Sequence, residues 1–482
     1  MASSEKSLSH DGSEEHGTRV VEVASEPSWS PEAERKLVQK IDLYLIPTLW
    51  LMSLLSWMDR ANLGNASIAG LNADLQLSST QFSLSITVFY FGYIAAVPFV
   101  MTLLARTRPS LTLPIIMLLW GVVTCGMGAV KTYPQLLGLR IVLGSLEAVF
   151  NPGVCFIFSS WYKPDEMGKR AGSYITAALM GGAFGSLIAG GVMQHLEGAR
   201  GIRGWRWLFI VEGAVTIFTA LLAMYLLLDY PATCRKFTPE ERVIAVKRLQ
   251  RVGVHVAEGN DDSKPARLGL RRSVVMVLTN WRTYGIAIAC GFFSATLLMA
   301  YFYPVLVKGL GYDDPITAQY MTVPIWVVGF VFAVSSGSIS DRMPQYRALI
   351  IAACLGLNGL MAAITCGVYD FKARYVLLAF MTGGVWGGFT QAMAFTAELF
   401  QHFPPEVRAL ALGIMSIAAN TGNIYGAYIF PKEHAPKYLL GFGMVAATGT
   451  LSGGIFALMW YWGRREKRIC LARGEEPATP CR

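Results

Sequence analysis

The stretch LLSWMDRANLGNASIAG, residues 54–70, is oily on both sides of two adjacent opposite charges, Asp59 and Arg60. A charge inside a bilayer is costly, so such a pair is kept there only where it serves a site or locks helices together. Composition says that a bilayer is the right setting. Of the 482 residues 53% are hydrophobic and only 15% are charged, whereas charged residues in soluble globular chains approach a quarter. Mean hydropathy is positive as well. The chain reads as an all-α, polytopic membrane protein.

Outward from that stretch, twelve apolar runs are long enough to cross a hydrocarbon core of about 30 Å, which takes about 20 helical residues. They are Leu43–Ala61, Phe82–Leu104, Leu111–Val130, Pro134–Trp161, Ala171–Gln194, Arg206–Leu228, Tyr284–Val307, Gln319–Ser340, Ala348–Val368, Tyr375–Glu398, Ala409–Phe430 and Tyr438–Trp462. One long basic interval divides them six and six. The expected organisation is an N-terminal tail over 1–40, a six-helix bundle over 41–228, a linker over 229–283, a second six-helix bundle over 284–462 and a tail over 463–482.

The N-terminal tail is acidic, Ser-rich and poor in large apolar side chains, so disorder is expected. A polar tail before the first span, with no small-residue cleavage site, is also unlike a signal peptide. Most of the 41 Lys and Arg residues fall in segments on the side of the two termini. The positive-inside rule therefore puts both ends in the cytosol, and the plasma membrane is the expected location. The formal charge of +9 is explained by loops that face an anionic leaflet, without a nucleic acid partner. In the linker, Thr238 and Glu241 have the spacing of a capping box, and Val243, Ile244, Val246 and Leu249 follow as an apolar stripe. A short amphipathic helix on the cytoplasmic face is expected, joining the halves.

The halves echo each other, as a parallel duplication would. Residues 159–191, SSWYKPDEMGKRAGSYITAALMGGAFGSLIAGG, and 397–428, AELFQHFPPEVRALALGIMSIAANTGNIYGAY, share one plan. An aromatic exit leads through Pro and acidic residues to Arg170 or Arg408, then into a helix rich in Gly and Ala. Gly181, Gly182, Gly185, Gly190 and Gly191 read as close packing between helices.

The segment GSISDRMPQYR, residues 337–347, resembles the loop signature between the second and third helices of a half in the major facilitator superfamily. The resemblance covers Ile41 to Trp462 and implies that fold, with Asp341, Arg342 and Arg347 bracing the cytoplasmic ends. The first half has TLLARTRPSLTLP at the equivalent place, residues 102–114, with Arg106 and Arg108 but no Asp. That departure argues against a symmetric inner gate. More narrowly, WMDRANLGNA (57–66), LLGLRIVLGSLEAVFNPG (136–153), YFYPVLVKGLGY (301–312) and NTGNIYGAYIFP (420–431) together resemble the anion:cation symporter branch, especially fungal allantoate and nicotinate permease-like members. Val149 stands where that branch usually has Gly, a change that would narrow the local cavity.

At about 1.5 Å per residue Asp59 lies about 25 Å along its span from Asp42, in the outer half of the membrane. The fourth span runs the other way, so Arg140, about 9 Å along it, reaches a similar depth and Glu147, about 20 Å along, falls nearer the midplane. Seven residues are nearly two turns, so Arg140 and Glu147 share a face, which must turn to the bundle interior or a cavity. Arginine keeps its charge and its fork fits a carboxylate in bidentate fashion, so Arg60 and Arg140 are the candidate anion binders. A buried carboxylate can exchange a proton as its surroundings change, which makes Asp59 and Glu147 the candidate coupling groups. In related sugar-acid and organic-anion symporters the matching residues are implicated in proton coupling. The plain structural alternative is that both pairs only hold helices together.

Tyr90, Tyr93, Tyr301, Gln391, Asn420 and Asn423 carry polar groups on their spans and could complete a pocket or bridge helices. Glu398 and Arg408 flank a loop and read as gate bracing. None of the six His lies inside a span, the eight Cys show no ligand spacing, and no phosphate-cradling G-x-x-x-x-G-K-[ST] loop occurs. A metal site, a cofactor and ATP-driven pumping therefore have no support, and no catalytic set emerges for an enzyme. The expectation is a monomeric carrier whose partners are a small organic anion, protons and the lipid bilayer. An exporter of an anionic metabolite and a non-transporting nutrient receptor are the alternatives.

Overall fold

Ser30 starts the first helix, its hydroxyl accepting from Ala33 N at 3.2 Å with Pro31 at the first helical position. Proline suits that place, because its missing N–H would be unpaired there anyway. The resulting helix α1, Pro31–Ala66, begins well before the first expected span and runs past its end. The computed structural model describes residues 29–251, 270–312, 314–400, 405–435 and 437–472. The disorder expected over 1–40 gives way to helix from Pro31 on, because the Ser30 cap and Pro31 start α1 ahead of the apolar run; residues 1–28, where the rest of that expectation falls, and 473–482 lie outside the described residues.

The first bundle continues with α2 (Ser79–Arg106), α3 (Pro109–Met127), α4 (Tyr133–Glu147 and Phe150–Trp161), α5 (Pro164–His195) and α6 (Gly204–Leu226). Two linker helices follow, α7 (Pro239–Gln250) and α8 (Leu270–Leu278). The second bundle comprises α9 (Trp281–Leu297, continued by Leu298–Phe302 and Tyr303–Gly309), α10 (Pro315–Arg342), α11 (Arg347–Gly367), α12 (Phe371–Leu399), α13 (Pro405–Gly426) and α14 (Leu439–Ala472). Among the described residues eleven spans are long and apolar enough to cross a membrane, and α13, with 22 residues, takes the twelfth place.

Both bundles use one packing plan. In the first, α1 packs on α5 and α6, α2 on α4, and α3 on α6; in the second, α9 packs on α13 and α14, α10 on α12, and α11 on α14. Between bundles the plan is symmetric too, with α5 against α10 and α2 against α13. Glycines set the closest approaches: a Cβ at Gly144 would strike the Phe89 carbonyl, and one at Gly422 would strike that of Gly291. Gly181, Gly182 and Gly190 also pack tightly, against Leu54, Trp326 and Tyr320, whereas Gly191 faces open space and Gly185 has only ordinary contacts.

The hydrogen bonds that join the bundles among the described residues lie away from the end that carries the termini. Ser83 Oγ donates to Ala427 O at 2.6 Å, Thr87 Oγ1 to Ile424 O at 3.4 Å, Gln319 Nε2 to Asn65 O at 3.1 Å and Tyr320 OH to Gln194 Oε1 at 3.3 Å. A Cβ at Gly64 would fall on the Tyr301 carbonyl, so α1 and α9 also meet there. The two halves are closed together at the end opposite the termini.

The linker helix has the expected cap: Thr238 Oγ1 accepts from Glu241 N at 3.2 Å and Glu241 Oε2 from Thr238 N at 2.9 Å. Its buried side differs from the expected stripe. Ala245, Val246, Arg248 and Leu249 are buried while Val243 is 49% exposed. Arg248 reaches under the helix to Trp161 O at 2.7 Å and Glu166 Oε2 at 3.0 Å, and Lys40 meets Glu241 at 2.9 Å. The helix is therefore docked on the first bundle, since a buried guanidinium needs partners and these sit on α4 and α5, with Glu34 of α1 at 3.9 Å.

Candidate functional site

Four charged residues read from the sequence, Asp59, Arg60, Arg140 and Glu147, are buried together inside the first bundle. Ser56 and Arg60 lie one helical turn apart on α1, so both reach the same partner on α4. Arg60 Nε donates to Glu147 Oε2 at 2.8 Å and Ser56 Oγ to the same oxygen at 3.1 Å. The observed pairing crosses the one that chain order suggests. Asp59 and Arg60 are neighbours in sequence, but successive helix residues do not face each other, and Arg60 turns to Glu147 instead.

Arg140 is the outcome of that crossing. It is 1% exposed, and its Nε, Nη1 and Nη2 have no hydrogen-bond partner among the described residues. Both oxygens of Asp59, Oε1 of Glu147 and Nη2 of Arg60 are likewise buried without one. The charges are close enough to act on one another: Asp59 feels Glu147, Arg140 and Arg60. Aromatic faces complete the surroundings. The Arg60 guanidinium carbon lies 5.1 Å from the Trp57 ring centre and 5.4 Å from those of Phe89 and Tyr93, and that of Arg140 lies 5.7 Å from Phe89. Such faces attract a cation without using up its N–H donors. A buried guanidinium with no hydrogen-bond partner among the described residues, beside ring faces and carboxylates, can take up an anion, and the carboxylates can take up a proton.

Tyr90 and Tyr301 meet across the bundles, hydroxyl to hydroxyl at 3.5 Å. Tyr93 sits against Arg60. The other polar candidates stand apart from the charges: Gln391 Nε2 lies 3.4 Å from Thr390 Oγ1, Asn420 Nδ2 donates to Ser416 O at 2.9 Å, and Asn423 is half-buried one turn on. The expected bracing residues lie at the end that carries the termini. Arg347 reaches Glu398 at 3.2 Å, Asp341 at 3.6 Å and Ser340 Oγ at 2.9 Å, while Arg342 is exposed. Arg170 grips Asp42 with two bonds of 2.6 and 2.7 Å and lies 4.2 Å over Tyr162. The side chain of Arg408 lies outside the described residues.

A fifth charged group is buried beside these four. Glu212 on α6 is 1% exposed, accepts from Asn62 Nδ2, and stands within reach of the Asp59 charge. It is a lone carboxylate in an oily span, so the rule that picked out Asp59 applies to it equally.

These features sit in a chain whose relatives are carriers. Residues 49–427 match the Major Facilitator Superfamily. The MFS-type transporter cnsO of Penicillium expansum is 30% identical over 96% of this chain and 92% of its own length. The high-affinity nicotinic acid transporter of Saccharomyces cerevisiae is 27% identical over 94% of this chain and 83% of its own. Among solved structures, the xylose transporter XylE from E. coli, in a partially occluded inward open conformation, superposes with a TM-score of 0.68 at 14% identity, over 87% of this chain and 97% of that one. With twelve helices in two like bundles and a family match over most of its length, the chain belongs to the Major Facilitator Superfamily, a family of multi-pass membrane transporters rather than enzymes.

Proposed function

We propose that this transporter is a proton-coupled symporter of a small organic carboxylate, working by alternating access around the charged cluster. The observation that carries the reading is Arg140, fully buried with three nitrogens that lack a hydrogen-bond partner among the described residues, as do both oxygens of Asp59 and Oε1 of Glu147. A planar fork of that kind matches a carboxylate. A relative named for nicotinic acid, itself a carboxylic acid, supports the substrate class.

In this reading Arg140 and Arg60 bind the anion and Asp59 and Glu147 couple protons. Arg60 is held by Glu147 at 2.8 Å, so it serves a substrate carboxylate only when Glu147 lets go. A proton on Glu147 removes the charge that holds Arg60, and the freed guanidinium accepts the anion. Proton and anion then enter together, which is the coupling that symport requires, and with one of each the local charge is unchanged. Tyr90, Tyr93 and Tyr301 shape the pocket wall, with Gln391, Asn420 and Asn423 on the opposite bundle. Arg170, Asp341, Arg342, Arg347, Glu398 and Arg408 brace the cytoplasmic ends. Both termini are cytoplasmic and the location is the plasma membrane; tags at either end should label only after permeabilisation, and labelling on intact cells would reverse the orientation.

The test uses proteoliposomes, a panel of organic anions, and two readouts side by side, counterflow and accumulation driven by a pH gradient. Glu147→Gln should keep counterflow and lose uphill accumulation, because it mimics the protonated state permanently. Full accumulation by this variant would remove Glu147 from the coupling role. The direction of coupled flux separates uptake from export, and binding without flux would make the protein a receptor.

A further inference from the structure

Beside the charged cluster, on the side of the termini, four helices of the first bundle are tied together by polar side chains that the mechanism above does not use. Pro152 cannot donate to the carbonyl of Ala148 four residues back, and α4 is interrupted there, between Glu147 and Phe150. Its second piece presents Asn151 one turn beyond Glu147. The Tyr174 hydroxyl of α5 donates to Asn151 Oδ1 at 2.7 Å. A side-chain amide has one acceptor end and one donor end, so Tyr174 takes the oxygen and leaves the NH2 to give. The Tyr93 hydroxyl of α2 stands within hydrogen-bonding reach of both Asn151 and Arg60, and the Arg60 guanidinium carbon lies 5.4 Å from its ring centre. Arginine offers donors only, as does the free end of the amide, so the Tyr93 oxygen accepts from both. Tyr174 also reaches Ser53 of α1. The result is a hydrogen-bonded strap from α5 through α4 and α2 to Arg60, all within one bundle.

We infer that Asn151 and Tyr174 are positioning residues: they fix Tyr93 as a second holder of Arg60, so that the guanidinium stays at the site after Glu147 lets go. The inference rests on the release of Arg60 by Glu147 proposed above. Glu147 meets Arg60 at 2.8 Å through Nε, and a long side chain freed of that bond regains its rotamers. The rings of Trp57, Phe89 and Tyr93 attract the cation through their faces, which leaves its N–H groups without a set direction. A hydrogen bond to a fixed oxygen supplies one, because it weakens steeply when bent. With the strap in place Arg60 passes from Glu147 to an anion without leaving the cluster. Without it, each protonation of Glu147 would scatter the guanidinium, and the anion would have to gather it again. Tyr174 acts here without touching Arg60, through the orientation of the Asn151 amide and then the Tyr93 oxygen.

The test needs no substrate. Phenylglyoxal modifies accessible guanidinium groups, and peptide mass spectrometry on the full chain in proteoliposomes reads Arg60 and Arg140 separately. Glu147→Gln stands in for the protonated carboxyl. With the strap intact, Arg60 in Glu147→Gln should react within about twofold of the wild-type rate. Adding Tyr174→Phe, which removes only a hydroxyl, or Asn151→Leu should then speed Arg60 by about five- to tenfold, the scale of one lost hydrogen bond. Either strap change with Glu147 in place should leave Arg60 near the wild-type rate, and Arg140 should keep its rate in every variant. Fast reaction of Arg60 in Glu147→Gln alone, or no gain on adding either strap change, would overturn the strap. Equal gains at Arg60 and Arg140 would overturn it too, by showing general loosening in place of a lost holder. None of these outcomes touches the carboxylate reading, which the anion panel decides.

Discussion

The two bundles share one fold and one packing plan, yet they are chemically unlike at the centre. The first buries Asp59, Arg60, Arg140, Glu147 and Glu212; the second buries Trp326, Trp386, Asn358 and Gln391. At the end that carries the termini the contrast takes another form. The second bundle is braced by Arg347 to Asp341 and Glu398, whereas the first, which lacks that loop signature, uses Arg170 to Asp42, Lys163 to Glu34 and Arg248 to Glu166. The frame is shared, and the cluster of buried acidic and basic groups stands on one side of the interface, among its own ring faces. A carrier with this division can hold its charges within one rigid body while the other moves over them.

The largest test of that division is Arg140→Lys. A point charge cannot reproduce the fork, so uptake should fall at least about a hundredfold, equivalent to about 2.7 kcal/mol. Wild-type transport by a folded variant would mean that charge alone suffices.

Next is Gly64→Val, because a Cβ there falls on the Tyr301 carbonyl where the bundles close. Overpacking of this sort costs about 1–3 kcal/mol, so the closed form should be depopulated and a cysteine placed at Asn65 should label faster. Gly356→Val, with nothing within 4 Å of its added Cβ, is the control in the second bundle and should transport normally. Equal behaviour of the two would dissolve the argument from close approach.

Glu212→Gln should have an intermediate effect. A glutamine oxygen can still accept from Asn62, so accumulation driven by a pH gradient is expected to keep about half its wild-type level, against loss in Glu147→Gln. Complete loss in both would extend the coupling set to α6.

Arg170→Gln and Arg347→Gln compare the two braces directly. Arg170 is bidentate, while Arg347 meets an Asp341 side chain that is 75% exposed. Exposed pairs contribute about 0–1 kcal/mol, so Arg170→Gln should lower the melting temperature more, and the reverse order would overturn the ranking.

Smallest is Glu241→Gln in the docked linker. Burial raises the proton affinity of this carboxyl, but the Lys40 ammonium and the Thr238 N–H outweigh it and hold it below the ordinary range. A depressed carboxyl stabilises the fold above its unfolded pKa of about 4.3, and that contribution fades as pH falls through the folded value. Melting of the wild type should therefore approach that of Glu241→Gln on acidification and at high salt. A gap between them that persists under both conditions would mean that the contact is not electrostatic.

The four central charges were legible because a charge in an oily helix stands out in one dimension. Their pairing was not. Whether Arg60 or Arg140 takes Glu147 depends on how α1 is rotated against α4, which the order of residues on either helix does not state. Glu212 is marked less plainly, since it stands alone within its span while Asp59 stands beside Arg60. Val243 fitted an apolar stripe by spacing, but docking through Arg248 turned it outward. The contact of Trp57 with Trp386 across the bundles has no mark in the order of residues either.

By itself the sequence determined that the chain crosses a membrane, how many times, and that it is a duplicated carrier frame, because hydropathy, span length and charged termini act locally along one helix. Only the tertiary structure decided that Arg140 has no hydrogen-bond partner among the described residues and that the halves are closed at the end opposite the termini. Those outcomes depend on contacts between residues far apart in the chain, such as Asn65 with Gln319 and Ser83 with Ala427, and on small rotations of packed helices that no single span encodes.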